Sequence, residues 1–387
     1  MKRVIYNAVP AWEKAPAAMD ILRENLQVLI RDMEKRKIKD CTVILPKGEM
    51  QTAEKIKTAA GEAGIHVQCI LADRKSGLVY QNDSALLKAA MGEKANPFGK
   101  ERLEQVVPIE NLIETENGRE TGNFAADENH RERDCTGHVY IELPGGMVKK
   151  EAKSGNAAEI LNRICPSVDT EIKAVYSAYP QAGILTPSEL EQFIPQNGAY
   201  LRIIGSAQCM LEEMNQIAAQ YRKETCGKCV FGHEGSAQIQ MIFGDMALKK
   251  GKASDIELLR ELCRMMQTQT LCEIGCSLAD IVLDMIEKFG GEILEHISKK
   301  SCPAGVCSKF LTFHILPDKC TGCNECADYC EEEAILGRKR FIHVIDQDEC
   351  IQCGLCMDAC DEGAIVKAGS IKPRCPKKPI PCKPTHH

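Results

Sequence analysis

Two cysteine runs near the C-terminus constrain this chain more than any other feature. CTGCNECADYC places Cys320, Cys323, Cys326 and Cys330 in a C-x2-C-x2-C-x3-C pattern, and CIQCGLCMDAC repeats it 30 residues later at Cys350, Cys353, Cys356 and Cys360. Three thiolates spaced by two residues can wrap one face of an iron–sulfur cubane. The fourth then reaches a second cluster. The spacing therefore assigns Cys320, Cys323, Cys326 and Cys360 to cluster one, and Cys350, Cys353, Cys356 and Cys330 to cluster two. A zinc ribbon needs separated cysteine pairs instead of two runs of four. Each run is followed by Ala-Ile, Ala334-Ile335 and Ala364-Ile365, as core residues of a duplicated fold would be. Glu331 and Asp361 follow the fourth cysteines, and their negative charge disfavours adding an electron, so both potentials should be low.

The chain has 22 cysteines in 387 residues. Its start, MKRVIYNAVPAWEK, has no apolar stretch before Pro10 that would direct export, so a cytoplasmic location is expected. Thiols stay reduced there, and many of them together usually bind metal. A net charge of −6 and a pI near 5.9 offer no broad attraction to nucleic acid or anionic lipid. No basic helix or stripe suggests a nucleic-acid-binding regulator.

Along the chain, residues 1–118 alternate strands and helices: a strand at Val4–Tyr6, a helix over Met19–Lys35, a strand at Cys41–Leu45, a helix to Ala63 and a strand at Ile65–Ala72. A mostly parallel sheet follows. Residues 119–134 are polar and charged, as in a linker. From Gly137 to about Leu201 short strands surround one helix at Ala157–Ile164, and residues 207–299 have helical periodicity. The expected organisation is α+β and multidomain, with boundaries 1–134, 135–205, 206–309, 310–368 and a Pro/Lys-rich extended tail at 369–387.

The duplicated runs resemble a two-cluster [4Fe-4S] ferredoxin, although the proline usual after the fourth cysteine is missing. ETCGKCVFGHEG (224–235) followed by TLCEIGC (270–276) resembles the helical cluster-binding domain of the NADH-oxidising flavoprotein subunit of complex I. The likeness extends to the beta subunit of electron-bifurcating [FeFe]-hydrogenases, where CPAGVC and a ferredoxin follow. The resemblance implies a third iron–sulfur cluster on Cys226, Cys229 and Cys272, but Gly232 occupies the position of the family's third cysteine. Cys276 is the nearest spare thiolate for a fourth ligand, and His233 is the alternative. Packing alone would also account for Cys276.

HVYIELPGGMVKKEAKSG (138–155) and KAVYSAYPQAGILTPSEL (173–190) are similar to that family's β-grasp ligand-binding domain, and VYQNDSALLKAAMGEKANP (79–97) and VVPIENLIET (106–115) to parts of its flavin domain. The family's glycine-rich phosphate loop has no counterpart. Asn7-Ala8 alone remain of its second nucleotide motif, and its Gly-Glu-Glu is Gln81-Asn82-Asp83. Bare backbone is what lets a phosphate approach closely. Residues 1–118 therefore read as a degenerate flavin-type domain, truncated and kept as scaffold, with its flavin site lost.

Cys302 and Cys307 of CPAGVC, with His296 or His314, could close a tetrahedral zinc site, and the resemblance favours a structural metal there. Cys375 and Cys382 in the tail, with His386 and His387, are a weaker candidate. Cys41, Cys69, Cys135, Cys165, Cys209 and Cys263 are scattered and read as packing residues.

The expected function is single-electron transfer within a larger cytoplasmic oxidoreductase complex, with no catalytic residue and no flavin of its own. The alternative is a catalytic NAD(P)H dehydrogenase subunit holding FMN in an altered or shared site. Expected partners are subunits of flavoprotein, hydrogenase or formate dehydrogenase type, and soluble ferredoxin. No nucleic acid and no membrane span are expected.

Overall fold

The computed structural model describes residues 3–112, 137–164, 171–369 and 371–382. The chain divides into two compact units. The first comprises Met1–Ser206, Gln216–Gln240 and Leu258–Lys288; the second comprises Ala207–Asn215, Met241–Glu257 and Phe289–His387. The linker expected at 119–134, and Cys135 and Cys165, lie outside the described residues.

The first unit opens with β1 (Val4–Asn7), α1 (Ala17–Glu24), α2 (Gln27–Lys35), β2 (Asp40–Leu45), α3 (Met50–Glu62), β3 (His66–Leu71), α4 (Asp83–Ala90) and β4 (Val106–Pro108). The strands form one sheet in the order β3-β2-β1-β4, and every pairing is parallel. Parallel strands are covered on both faces. On β2, Val43 and Leu45 enter one core with Met19, Leu29, Met33 and Ile56, while Ile44 enters another with Ile5, Tyr80 and Leu86. The single helix expected over Met19–Lys35 is two helices. Asn25 adopts φ −151° and ψ 80°, and its N–H closes α1 on the Ile21 carbonyl. An Asn that leaves helical geometry breaks the helix even where apolar periodicity continues.

A second sheet in this unit contains β5 (His138–Glu142), β6 (Val148–Ala152), β7 (Ile172–Ser177), β8 (Gly183–Leu185) and β9 (Tyr200–Gly205), with α5 (Ala157–Ile164) packed on it. The order is β6-β5-β9-β7-β8. Only β5 and β9 pair in parallel. Ile160, Leu161 and Ile164 bury one face of α5 against Val139, Ile141, Leu201 and Ile203. Gly145 and Gly146 turn the β5–β6 hairpin at φ 95° and 88°, which L side chains rarely adopt.

Four helices follow: α6 (Met210–Glu224), α7 (Val230–Ala247), α8 (Ser254–Gln269) and α9 (Glu273–Ser298). Helix α9 is kinked at Phe289, just before Gly290-Gly291. No described helix is long and apolar enough to cross a membrane.

In the second unit, β10 (Thr312–Ile315) pairs antiparallel with β14 (Ile365–Ala368), and the two cysteine runs lie between them. Each run carries one helical turn, α10 (Glu325–Asp328) and α11 (Leu355–Asp358), entered through a left-handed residue, Asn324 at φ 84° and Gly354 at φ 88°. The short strands β11 (Ile335–Leu336) and β13 (Val344–Ile345) pair, and β12 (Phe341–Ile342) pairs with β15 (Ile380–Pro381) from the tail. Ala334, Ile335, Ala364 and Ile365 are all buried, so the repeated Ala-Ile steps are core.

Candidate metal centres

The duplicated fold exchanges the fourth cysteine of each run. One cavity is lined by Cys320, Cys323, Cys326 and Cys360, and another by Cys350, Cys353, Cys356 and Cys330. Burial, and then the neighbouring Cys320, Cys323 and Cys360, push the Cys326 thiol up to about 12. Burial, and then Cys350, Cys353 and Cys330, push Cys356 up to about 11. Four thiolates packed this closely need a cationic core between them.

Three thiols of the bundle are electrostatic neighbours in the first unit. Cys226 and Cys229 precede α7 and Cys272 precedes α9, so Cys229 and Cys272 sit at helix N-termini, where the backbone N–H groups favour thiolates. Burial pushes Cys272 up to about 12, with Cys226 and Cys229 adding repulsion and the backbone N–H groups of Ile274 and Gly275 opposing it. Cys276 is placed differently. Its Sγ lies 2.9 Å from Lys100 Nζ, 3.2 Å from the Gln267 carbonyl and 3.3 Å from Thr270 Oγ1. His233 is half-exposed, with Nδ1 3.4 Å from Thr225 Oγ1 and Nε2 3.7 Å from Glu234 Oε1. A Cβ added at Gly232 would lie 2.7 Å from Cys229 Sγ.

A third group lies within the second unit. Cys209, His296, Cys302 and Cys307 are all buried, and their ligand atoms lie within 4.8 Å of one another. Reading Cys209 as a packing residue therefore needs correction. It immediately precedes α6, and its Sγ is 3.3 Å from His296 Nε2. Cys307 Sγ is 3.7 Å from the same nitrogen. Tetrahedral zinc with bonds of 2.0–2.3 Å has ligand-to-ligand edges of about 3.6 Å. The distances fit.

His296 Nδ1 lies 2.7 Å from the Glu292 carbonyl, which holds the tautomer that leaves Nε2 free to ligate. Burial alone would lower the His296 pKa, but contacts with Cys209 and Cys302 and the Glu292 carbonyl outweigh it and raise it to about 10. Hydrogen bonds from Cys209 and Cys307 hold the Cys302 thiol far below its ordinary value. The group as a whole favours a positive charge at its centre. Gly305, at φ 68°, folds the CPAGVC turn that brings Cys302 and Cys307 together. His314 takes no part; its Nε2 lies 2.7 Å from Thr312 Oγ1.

Of the tail residues, Cys382 Sγ lies 3.7 Å from the Cys320 carbonyl, whereas Cys375 joins no group of three or more ligands among the described residues. His386 and His387 lie outside the described residues. Cys41 and Cys263 are buried, and Cys69 is partly buried.

The positions resembling the nucleotide motifs are occupied by internal hydrogen bonds. Asn7 Nδ2 donates to the Tyr80 carbonyl at 2.9 Å, and Gln81 Nε2 to the Val9 carbonyl at 2.8 Å. The Asn82 side chain caps α4 by accepting from the Ala85 N–H. Buried Asp83 accepts from Arg102 at 3.1 Å and from the Leu103 N–H at 2.7 Å.

Two family models match this chain. Residues 212–296 match the NADH-ubiquinone oxidoreductase-F iron-sulfur binding region, and residues 319–364 match the 4Fe-4S dicluster domain. The chain carries both iron–sulfur domains. Among curated relatives, the NADP-reducing hydrogenase subunit HndC of Solidesulfovibrio fructosivorans is 32% identical over 213 residues, which are 52% of this chain and 42% of the relative. The F 2 subunit of the NADH-quinone oxidoreductase of Rhizobium meliloti is 25% identical over 43% of this chain and 36% of its own length. The chain thus spans less than half the length of these two relatives. A chain of an NAD+-reducing [NiFe]-hydrogenase crystal structure shares the fold with a TM-score of 0.58 at 16% identity, covering 76% of this chain and 57% of that one.

Proposed function

We propose that this chain is an iron–sulfur electron-transfer subunit of a larger oxidoreductase complex, relaying single electrons between redox sites of its partners. The observation that carries this reading is the pair of cavities, each lined by four cysteines drawn from both halves of the duplication. Bound there, [4Fe-4S] clusters supply one-electron chemistry. The chain's own part is to hold and shield them. Phe313, Ile335 and Ile345 line one cavity and Ile315 and Ile365 the other, and all five belong to one buried core.

The finer assignments belong to the same proposal. Cys226, Cys229 and Cys272 hold a third cluster, supported by their mutual approach and by the family match over residues 212–296. Cys209, His296, Cys302 and Cys307 hold a structural zinc, supported by ligand atoms that lie within 4.8 Å of one another. Residues 1–134 act as a flavin-type scaffold, 135–205 as a β-grasp domain, 206–309 as the bundle and 310–368 as the ferredoxin. The relatives are named as subunits of a hydrogenase, of NADH-quinone oxidoreductases and of a formate dehydrogenase, which supports partners of those classes.

The test is anaerobic reconstitution of the full chain, followed by iron analysis and electron paramagnetic resonance of the reduced protein. Two magnetically coupled clusters in the dicluster region are expected. A chain that held only zinc would sink the proposal.

A further inference from the structure

We propose that the bundle site is a three-thiolate centre whose fourth corner the chain leaves unligated, so that it takes up and releases one ferrous ion. This rests on the reading that Cys226, Cys229 and Cys272 hold a cluster. The chain offers two nearby candidates for the fourth ligand, and neither points there. Cys276 Sγ belongs to a hydrogen-bonded set that closes the C-terminal end of α8. Lys100 Nζ reaches both Cys276 Sγ at 2.9 Å and the Gln267 carbonyl at 3.1 Å. Thr270 Oγ1 also contacts Cys276 Sγ while donating to the Met266 carbonyl at 2.8 Å.

Turning Cys276 away would remove a partner of a part-buried ammonium and one contact to the Gln267 carbonyl at the end of α8, where a cation and its hydrogen bonds are favourable. His233 is half-exposed and directed at Thr225 and Glu234.

The position that does face a thiol of the set is Gly232, on the first turn of α7, against Cys229. Its missing Cβ would sit 2.7 Å from Cys229 Sγ, so a side chain there would press on that thiol. Glycine leaves that corner bare. Soft thiolates retain the three irons they ligate, whereas a fourth iron has only an external ligand and exchanges.

One electron converts [3Fe-4S]+ to [3Fe-4S]0, which takes up Fe2+ to give [4Fe-4S]2+. Oxidation by ferricyanide returns [3Fe-4S]+, one Fe2+ and one electron, which the ferricyanide accepts. Each ferredoxin site has four thiolates and no free corner. The bundle centre, not the ferredoxin pair, is then where iron supply and oxidants act on this chain.

The test uses the full chain, reconstituted anaerobically and treated with ferricyanide and a chelator. The near-isotropic paramagnetic signal of an oxidised three-iron cluster is expected, and it should be absent from Cys229→Ala, which removes a bundle thiolate and leaves both ferredoxin sets intact. After reduction with dithionite, mild reoxidation should restore the signal in a sample denied iron and not in one given ferrous iron. Cys276→Ser should leave the signal unchanged, and Gly232→Cys should abolish it while iron content stays at a full third cluster.

Should Gly232→Cys fail to fold, the wild-type chain and Cys276→Ser still decide. A complete third cluster that resists ferricyanide until Cys276 is replaced overturns the open corner and leaves the cluster assignment standing. Iron sufficient for the ferredoxin pair alone overturns both.

Discussion

His296 Nε2 lies 3.3 Å from Cys209 Sγ although 87 residues separate them. The contact joins the residue just before α6 to the last turn of α9, and Cys302 and Cys307 complete a buried group of four ligands. If zinc fills it, Cys209→Ser or His296→Ala should remove close to one equivalent of zinc by elemental analysis. Unfolding free energy should fall by on the order of 3 kcal/mol or more, since loss of a structural metal is among the largest single-residue effects. His314→Ala, outside the tetrahedron, should leave zinc unchanged. Equal zinc in all three variants would remove the site.

The two ferredoxin cavities should be separable by mutation. Replacing Cys350 and Cys353 together by serine is expected to lower iron by about four atoms per chain and to collapse the coupled spectrum of the reduced pair to that of one cluster. Far-ultraviolet circular dichroism should barely change, because the sheets of the first unit have their own cores. A variant that kept both clusters would reassign the second set.

Flavin content tests the scaffold reading of residues 1–134. Gln81, Asn82 and Asp83 are occupied in hydrogen bonds that hold α4 and the chain before β4. The purified chain should release no stoichiometric flavin on acid precipitation and should not oxidise NADH with an artificial acceptor. Equimolar flavin would restore the alternative of an altered or shared FMN site.

Glu110 should make stability depend on pH. Its Oε2 is buried without a partner among the described residues, and burial raises its carboxyl from 4.5 to about 7. A folded-state pKa above the unfolded value means the contribution is fully present below about 4.5 and is lost as pH rises through about 7. At about 1.4 kcal/mol per unit, the loss is on the order of 3 kcal/mol at most. Glu110→Gln should flatten denaturant midpoints between mildly acidic and neutral pH. An unchanged slope would show that the carboxylate is solvated.

What was legible in the sequence followed from how local its signals were. The ferredoxin ligand sets, including the exchange of Cys330 and Cys360, follow from spacing within 41 residues of chain, from Cys320 to Cys360. The parallel sheet followed from alternating apolar strands and amphipathic helices. Cys209 was not legible, because a buried cysteine at a helix start looks the same whether it packs or ligates. Its partners are fixed only when α9 returns to it. The break at Asn25 was hidden because apolar positions continue through Leu22, Leu26 and Leu29 in helical register, and the Glu24-Asn25 step was its one visible signal. For Cys276, spacing along the chain conveys proximity to Cys272 without direction, and direction is set by Lys100, which is 176 residues away.

The tail makes a last prediction. Strand β15 pairs with β12, and the Cys382 N–H donates to the Arg340 carbonyl at 2.9 Å, so the tail lies against the Cys320-Thr321-Gly322-Cys323 loop. Gly322 permits this. It has φ 73°, and a Cβ there would lie 2.8 Å from the Phe341 nitrogen, 2.9 Å from Arg340 Cα and 2.9 Å from Cys382 Sγ. Gly322→Ala therefore combines a left-handed backbone with contacts to main-chain atoms that cannot move aside, at a cost of about 1–3 kcal/mol. Cluster one should bleach faster under a chelator while cluster two keeps its rate. Deleting residues 371–387 should relieve the clash with Cys382 but not those with Arg340 and Phe341, so it should rescue Gly322→Ala only in part. Full rescue would place the whole cost in the tail, and no effect of Gly322→Ala would show that the loop adapts without it.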